Sequence, residues 1–323
     1  QAVETLYGRR IAMSASRVDR LKSCHFGYFM EYGLRAKERT SAGFEAPEVG
    51  TFIHYLLENV NRDVRDRGGY GQVDKPALRK LVHHYVEEYA RTQIDGYAGK
   101  SARFRYLFSR LRETACAIVE NIADEMAVSD FRPIAFELGF GGKDGQLPAI
   151  TVTEGNTTLS VGGKVDRVDG WLKDGKLYLR VVDYKTGKKA FDLSDVRYGL
   201  GIQMLLYLFT LQREGGSYFG SPVEPAGVLY MPARDIILQA DRALPPDKIE
   251  DMLRRELRRT GMLLGEPEVL TAMEHSALKS PCYLPVSVTK DGAVEGLLSS
   301  VLVSTAQMGK MARYIDSLLH RVA

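Results

Sequence analysis

The spacing of apolar and polar positions along the chain changes near residue 131. Before that point, long segments carry an apolar residue every three or four positions, which is typical of amphipathic helices. We therefore predict helices over residues 16–32, 47–65, 75–97 and 103–128, which together form a helical layer over residues 14–130.

After residue 131 the apolar runs become short and are separated by turn residues, as expected for strands joined by hairpins. The pattern predicts strands over residues 134–140, 149–152, 157–161, 164–171, 177–184 and 227–231, with a largely buried helix over residues 200–213. Toward the C-terminus it predicts a helix over residues 246–264, a strand over residues 284–289 and a final helix over residues 304–320.

These elements predict an α/β fold of the mixed α+β type. A central mixed β-sheet that contains an antiparallel meander would bury its faces against flanking helices. We expect a single domain over residues 1–323, made of the helical layer, a catalytic core over residues 131–235 and a C-terminal extension over residues 236–323. The pattern would also allow the extension to be a separate domain.

The composition, with 45% hydrophobic and 26% charged residues among 323, is that of a globular protein able to bury a sizeable core. No segment approaches the roughly 18 consecutive apolar residues of a membrane-spanning helix, and residues 1–13 lack the apolar stretch of a secretory signal. We therefore expect a cytoplasmic protein with no membrane partner. The formal net charge of +3 is too close to neutral to indicate a nucleic-acid partner by itself.

One segment is locally basic and aromatic. It combines the cations Lys100, Arg103, Arg105, Arg110 and Arg112 with the rings of Phe104, Tyr106 and Phe108. Such a segment can follow a phosphate backbone. The alternative is a solvated helix face, which is the commoner role of a basic run.

The chain has three cysteines, Cys24, Cys116 and Cys282, far apart and without a CxxC spacing. This arrangement does not predict a disulfide framework in a chain of this size. It also cannot supply a four-cysteine metal site by itself.

The residues most suggestive of chemistry lie in two of the predicted strands. In an extended strand Asp183 and Lys185 project from one face and Tyr184 from the other. If Asp166 comes from a neighbouring strand, two carboxylates and an amine can surround a divalent cation and a phosphate. Alternation gives Asp166 and Asp169 opposite faces, so Asp166 is the first choice and Asp169 the second. Solvated salt bridges are the alternative for both.

Several motifs resemble those of the RecB-like branch of the PD-(D/E)xK nucleases, and within it the AddB-type nuclease domains of AddAB helicase-nucleases. The similar segments are GTFIHYLLE (50–58), Glu137 in AFELGFG, GKVDRVD (163–169), VDYKTG (182–187) and the pair Gln203 and Tyr207. The resemblance is strong over about residues 14–235 and continues more weakly beyond.

The resemblance implies a restriction-endonuclease-like core that binds Mg²⁺ or Mn²⁺. It assigns the metal to His54, Asp166, Asp183 and the backbone carbonyl of Tyr184, and makes Asp166 and Asp183 catalytic as well. Carboxylate oxygens suit Mg²⁺, and an ion that keeps waters can deliver one as nucleophile.

The resemblance also implies roles for residues around the metal. Lys185 would orient or deprotonate the attacking water and offset charge on the phosphate. Gln203 and Tyr207, one helical turn apart, would hold this lysine and the DNA strand. Glu58, one turn after His54, is expected to accept its hydrogen bond or to be an ordinary surface residue. Glu137 is expected to be an accessory metal ligand or a group that supports the ligands through a hydrogen bond.

AddB-type domains also carry a 4Fe-4S cluster held by one cysteine before the core and three grouped after it. Cys24 matches the first, but the other three ligands do not occur in this sequence. We therefore expect the sequence to be a piece of a longer protein that ends before the cysteine group, in which the cluster does not assemble.

The leading hypothesis from the sequence is a Mg²⁺-dependent deoxyribonuclease domain, an exonuclease that cuts single-stranded DNA in double-strand-break repair. Its partner would be an AddA-type helicase-nuclease, since the sequence lacks the GxxxxGK[ST] pattern of an ATPase. The alternatives are a non-catalytic DNA-binding scaffold with the nuclease fold and a stand-alone RecB-like exonuclease.

Overall fold

The computed structural model describes residues 2–36, 46–94, 96, 99–142, 145–238, 243–278, 280–296 and 301–323. The helices are α1 Ala2–Tyr7, α2 Ala15–Ser23, α3 His25–Tyr28, α4 Ala46–Asp66, α5 Lys75–Gln93, α6 Ala102–Ala127, α7 Leu193–Arg197, α8 Gln203–Phe219, α9 Pro246–Leu257, α10 Pro267–Met273 and α11 Thr305–His320. A π-helical turn, Phe29–Gly33, follows α3, and 3₁₀ turns span Tyr70–Gln72 and His275–Leu278.

The strands are β1 Arg10–Ser14, β2 Arg132–Phe140, β3 Ile150–Glu154, β4 Thr157–Lys173, β5 Lys176–Lys185, β6 Val223–Pro232, β7 Thr260–Leu264, β8 Val286–Val288, β9 Val294–Gly296 and β10 Val301–Val303. Eight of them form one mixed sheet in the order β1-β4-β5-β6-β7-β10, with β2 and β3 also paired to β4. Strands β8 and β9 form a separate two-stranded sheet. The predicted fold class, a central mixed sheet flanked by helices, is confirmed.

Strand β4 organises the sheet because it is long enough to have two sets of neighbours. Its first half pairs with β1 and β3, and its second half pairs antiparallel with β2 and β5. The sequence suggested two strands, 157–161 and 164–171, where the structure has one of 17 residues. The two glycines at 162 and 163 interrupt the apolar pattern but not the hydrogen-bonded ladder.

Strands β5 and β6 run parallel through the centre of the sheet, from Leu177 opposite Val223 to Lys185 opposite Pro232. Both are almost continuously buried, as expected for parallel strands covered on both faces. Helix α8, whose Leu205, Leu208 and Leu211 are fully buried, forms the crossover between them. The carboxyl ends of β5 and β6 therefore open at one edge of the sheet.

The helical layer packs through α4, whose Phe52, Ile53, Leu56, Leu57 and Val60 are almost completely buried. Helices α5 and α6 agree with the predictions over 75–97 and 103–128, although α5 ends at Gln93 and the predicted end at Tyr97 lies outside the described residues. The helix predicted over 16–32 is interrupted at Cys24, which caps α3.

Three elements of the sheet were missed or wrongly assigned in sequence. The predicted helix over 246–264 is wrong in its second part, because α9 ends at Leu257 and Thr260–Leu264 form strand β7. A Cβ at Gly261 would lie 2.0 Å from the carbonyl oxygen of Val228, so only glycine allows β7 to approach β6. Strands β1 and β10 were not predicted, since each is short and lies next to a helix.

The sheet extends beyond the expected catalytic core, since β7 and β10 belong to residues 236–323. Side chains of α11 such as Ile315 and Leu318 belong to the same hydrophobic cluster as the central strands. The division of the chain, as one domain, into a helical layer, a catalytic core and a C-terminal extension stays a prediction. Among the described residues, no helix is both long enough and apolar enough to cross a membrane.

Candidate active site

The candidate site lies at the carboxyl end of β5. Lys185 Nζ lies 2.5 Å from Asp183 Oδ2, so the two side chains share one face of the strand. Tyr184 points to the opposite face, where it is buried and its hydroxyl accepts a 3.3 Å hydrogen bond from Asn61 Nδ2. Strand alternation thus places Asp183 and Lys185 in the candidate site and Tyr184 in the core.

Asp166 joins this site from β4. The β4–β5 ladder extends from Lys173 opposite Lys176 to Arg167 opposite Val182, so Asp166 and Asp183 are the next residues along the two strands. At this position the backbone N–H of Tyr184 donates a 2.8 Å hydrogen bond to Asp166 Oδ2. A side-chain oxygen thus takes the place of a backbone carbonyl of β4 as the acceptor. This contact fixes one oxygen of Asp166 and leaves the other directed into the site.

His54 and Glu137 complete a compact group around Asp166. His54 Nδ1 lies 3.3 Å from Asp166 Oδ1 and 3.9 Å from Glu137 Oε1. Ligand atoms of these three residues all lie within 4.8 Å of one another, the one such group found among the described residues. The structure thus gives Glu137, expected as an accessory, a central place. Asp183, expected as a ligand, borders the group without belonging to it.

The backbone of Glu137 has an unusual conformation for a strand residue. Its φ of 48° lies in the left-handed region, which costs a non-glycine residue about 1–3 kcal/mol and is concentrated at functional sites. The residues on both sides, Phe136 and Leu138, keep their pairing with β4. The turned backbone brings the carboxylate beside His54, where its exposed fraction is 12%.

His54 reaches the site from α4, whose apolar face rests on the core. Burial alone would lower the pKa of His54, but hydrogen bonds and charges from Asp166 and Glu137 outweigh it and raise the pKa to about 10. The imidazole is therefore protonated at neutral pH when no cation is present. The imidazole lies between two carboxylates, so a metal ion that displaced this proton could bind it there.

The carboxyl group of Asp183 is the second perturbed group. Burial, and then the negative charge of Asp166, raise the pKa of Asp183 to about 6, although Lys185 and His54 act in the opposite direction. Two carboxylates that destabilise each other in a half-enclosed site indicate a place where a cation would be stabilising. Asp183 lies next to the His54 group because it is opposite Asp166 where the β4–β5 ladder ends.

Lys164 was not proposed as a site residue, but it belongs to the site. Its Nζ lies 2.8 Å from Glu137 Oε2. Burial lowers the pKa of Lys164, and the hydrogen bond and charge of Glu137, with a smaller effect of Glu58, outweigh it and raise the pKa. Its position two residues before Asp166, on the same strand face, was the available signal.

Gln203 and Tyr207 lie on one face of α8, at its first turns. Gln203 Nε2 donates a 3.0 Å hydrogen bond to the Tyr207 hydroxyl, which also accepts one of 3.3 Å from the backbone N–H of Lys164. A Cβ at Gly163 would lie 2.4 Å from the Tyr207 ring, so glycine is required there. Within the described chain, the pair bonds internally and to β4, rather than to Lys185 as the resemblance implied.

Glu58 pairs with a residue of its own helix. Its carboxylate accepts a 2.9 Å hydrogen bond from Arg62, one turn further along α4. An i, i+4 ion pair on a helix is a common surface arrangement. The contact favours the alternative of an ordinary surface residue over the expected bond to His54, whose carboxylate neighbours are Asp166 and Glu137.

Asp169, the second choice for the site, belongs to a buried ionic cluster on the other face of the sheet. We define this buried ionic cluster as Glu125, Arg167, Asp169, Arg180 and Arg259, each at most 1% exposed. Arg180 bridges the two acids, with Nε 2.8 Å from Asp169 and Nη2 2.9 Å from Glu125. Sequence reasoning found neither Glu125 nor the two later arginines, since nothing in their spacing marks them.

The basic aromatic segment occupies the start of α6. Phe108 is 2% exposed and packs against Phe52 with ring centroids 5.1 Å apart, and Phe104 stacks on Phe108. Tyr106 instead is 67% exposed. Two of the three rings thus serve packing, and a role in nucleic-acid binding would fall to Tyr106 and the exposed cations. Nucleic-acid binding by this segment stays a prediction.

Cys24 is a free, exposed thiol, and its sulfur accepts a 3.3 Å hydrogen bond from the backbone N–H of Gly27. An iron–sulfur cluster of this kind needs four thiolates. In the described part of the chain Cys24 is not in a group of metal-ligating side chains. The described residues therefore do not fit such a cluster.

A divalent cation, in contrast, fits the residues present. One imidazole nitrogen and carboxylate oxygens from Glu137 and Asp166 converge, and Asp183 adds a further carboxylate beside them. Carboxylate oxygens and an imidazole nitrogen are suitable ligands for Mg²⁺ or Mn²⁺, and the cation would offset the negative charge of the carboxylates. An acidic and histidine site at the ends of the sheet strands, next to an Asp–x–Lys sequence, is an arrangement that suits hydrolysis of phosphate esters.

The comparisons with known proteins support a nuclease. The model of the PD-(D/E)XK nuclease superfamily matches residues 12–280. The chain therefore belongs to the PD-(D/E)XK nuclease superfamily.

More detailed similarity is to proteins named as the B subunit of an ATP-dependent helicase/deoxyribonuclease. The relative from Acetivibrio thermocellus is 32% identical over 321 residues, covering 99% of this chain and 28% of that protein. Those from Clostridium kluyveri and Caldanaerobacter subterraneus are 32% and 33% identical over 317 and 294 residues, covering 98% and 90% of this chain and 27% and 25% of those proteins. The chain thus spans about a quarter of the length of these relatives.

Proposed function

We propose that this chain is a Mg²⁺-dependent deoxyribonuclease domain that hydrolyses phosphodiester bonds in single-stranded DNA. The observation that supports it best is the convergence of His54, Glu137 and Asp166 within 4.8 Å, beside the Asp183–Lys185 pair. A binding scaffold gains nothing from carboxylates placed where a phosphate must approach, because their charges repel it.

The metal would be held by side chains from four elements, α4, β2, β4 and β5. His54, Glu137, Asp166 and Asp183 would bind the cation, with the backbone carbonyl of Tyr184 as a further ligand. A bound Mg²⁺ supplies Lewis-acid charge at the phosphate and acidifies water.

Lys185 faces the same region and is held by Asp183, so it can orient the attacking water and offset negative charge on the pentacovalent phosphate. Asp166 is held by the N–H of Tyr184, which keeps its free oxygen directed at the cation. Gln203 and Tyr207 support the backbone at Lys164, two residues before Asp166, and position this strand instead of reacting.

We further propose that the domain acts as an exonuclease in a cytoplasmic helicase-nuclease that repairs double-strand breaks. The relatives are named as one subunit of an ATP-dependent helicase/deoxyribonuclease, and the similarity supports an AddA-type partner. A stand-alone RecB-like exonuclease would not need a protein of the relatives' length. Sequencing the whole gene distinguishes the two, since only the first requires a long helicase-like region before the domain.

The central test is cleavage of end-labelled single-stranded DNA with Mg²⁺, repeated with EDTA and with Asp183→Asn. We expect cleavage only by the wild-type chain with Mg²⁺. Asp66→Asn, which removes an exposed carboxylate at the end of α4, is the matched control and should cut normally. DNA binding without cleavage under every condition would favour the scaffold alternative.

A further inference from the structure

A basic groove extends from the candidate site along the ends of β5 and β6. It encloses about 390 Å³ and is lined by six cationic side chains, those of Lys185, Lys188, Lys189, Arg234, Arg255 and Arg258. Among the described lining residues, the single acidic one is Glu256. The groove is continuous with the site because Lys185 belongs to both, with its Nζ 5.7 Å from the ring centre of Tyr230 on the groove wall.

The chain's net charge of +3 does not explain this concentration of positive charge. Three of the cations, Lys188, Lys189 and Arg255, are exposed and directed to solvent. Positive side chains along a track beside a phosphodiesterase site are suited to a nucleic-acid backbone, whose phosphates they can contact without regard to sequence.

Glu256 lies in the groove where a phosphate would be attracted. Its Oε2 lies 2.8 Å from Arg234 Nη2 and 3.4 Å from Lys188 Nζ, and the hydrogen bond from Arg234 is the main reason why the pKa of Glu256 is lowered. A carboxylate between an arginine and a lysine has the same partners as a phosphate group. It therefore competes with a phosphate for both cations.

We propose that this groove binds the single-stranded DNA backbone next to the scissile phosphate, and that Glu256 weakens this binding by occupying two of its cations. The proposal rests on the proposed function, because it names the substrate path of the same site. It predicts opposite effects for two kinds of substitution. Loss of a groove cation weakens DNA binding, and loss of the Glu256 charge strengthens it.

The test measures binding of a fluorescein-labelled oligo-dT to the whole chain by anisotropy, in EDTA so that no cleavage occurs. Lys189→Gln and Arg255→Gln, which remove exposed groove cations that Glu256 does not contact, should each reduce the salt dependence of binding, the slope of log K against log salt concentration, by about 0.7. The ratio of variant Kd to wild-type Kd should therefore be about fivefold larger at 0.1 M salt than at 1 M. The same ratio should be found with oligo-dA, since phosphates carry no base information.

The matched control for the cations is Lys176→Gln, which removes the same charge from the opposite end of β5, about 30 Å away. It should leave both the Kd and the salt dependence unchanged. The control for the acid is Glu250→Gln, an exposed residue on α9 that pairs with Arg254 at 2.8 Å. Glu256→Gln should lower the Kd severalfold, and Glu250→Gln should not.

Equal effects of Lys189→Gln and Lys176→Gln would show that only net charge matters and would overturn the groove. Groove variants that both bind DNA with the Kd and salt dependence of the wild-type chain would also overturn the groove. Because binding is measured without a metal ion, the result is independent of cleavage. A chain that binds through the groove but never cuts would overturn the proposed function alone, and a chain that cuts but binds elsewhere would overturn the groove alone.

Discussion

Asp166 and Tyr184 are joined by a 2.8 Å hydrogen bond from the backbone N–H of Tyr184 to Asp166 Oδ2, at the point where the β4–β5 ladder ends. This bond holds Asp166 beside Asp183 although like charges repel them. It also explains why the site is located at a strand end: only there is a backbone donor free to hold a carboxylate. The geometry of the site therefore depends on where the ladder stops.

Lys185→Ala should lower kcat for single-stranded DNA by about 10²–10³-fold, because a positive group opposite the developing phosphate charge is lost. Binding of Mn²⁺, measured by calorimetry, should be largely retained, since the ligands remain. Lys176→Ala, at the other end of β5, serves as control and should keep wild-type kinetics. A Lys185→Ala variant that cuts at the wild-type rate would remove the lysine from the mechanism.

Metal binding should release a proton from His54. The pKa of His54 in the metal-free chain is raised to about 10, so the ring is charged at pH 7.5 and must become neutral to bind a cation. Affinity should therefore rise with pH, by up to about tenfold per unit, until pH approaches about 10. Calorimetry of Mn²⁺ binding in two buffers of different ionisation enthalpy measures the released protons.

His54→Asn should abolish most of this proton release. His84→Asn, which replaces an exposed histidine on α5, should leave it unchanged. Equal proton release by the wild-type chain and His54→Asn would show that the imidazole is not a ligand.

Gly163→Ala should destabilise the chain by about 1–3 kcal/mol, because the new methyl group would lie 2.4 Å from the Tyr207 ring and force it away. Displacing Tyr207 also removes its hydrogen bond with the N–H of Lys164, so activity should fall together with stability. Gly71→Ala is the control, because a Cβ there meets no atom within 4 Å. Thermal unfolding and cleavage assays of both variants provide the comparison, and equal melting temperatures would contradict the steric argument.

Glu125→Gln should cost about 3–5 kcal/mol of unfolding free energy, because it leaves three buried guanidinium groups with Asp169 alone. Burial raises the pKa of Glu125, but the charges of Arg259, Arg180 and Arg167 outweigh it and lower the pKa to about 2. The unfolded value is 4.5, so this contribution is complete above about pH 5 and is lost as the pH falls from there toward 2.

Urea unfolding at several pH values tests this, with Glu113→Gln as control. Glu113 is an exposed residue of the same helix that pairs with Arg79 at 3.4 Å, so its loss should change stability by no more than about 0.5 kcal/mol. Similar losses for both variants, or a wild-type stability independent of pH below 5, would contradict the role of the buried ionic cluster.

Helices α4 and α6 were predictable because each shows a periodic apolar face. Strands β2 and β5 were predictable as short apolar runs bounded by turn residues. Strand β7 was not. Its residues Met262, Leu263 and Leu264 form a short apolar run that suits a helix or a buried strand equally. The choice is made by β6, whose free edge accepts β7 through backbone hydrogen bonds that no local pattern encodes.

The sequence by itself determined which residues could do chemistry: the Asp–x–Lys alternation, the acid at position 166 and the resemblance that added His54 and Glu137. Only the tertiary structure decided which of them meet. It grouped Glu137 with His54 and Asp166, paired Glu58 with Arg62, and placed Asp169 among buried arginines. The reason is physical: spacing along a strand fixes the face of a side chain, but the distance between strands and the turned backbone of Glu137 arise only when the sheet is assembled.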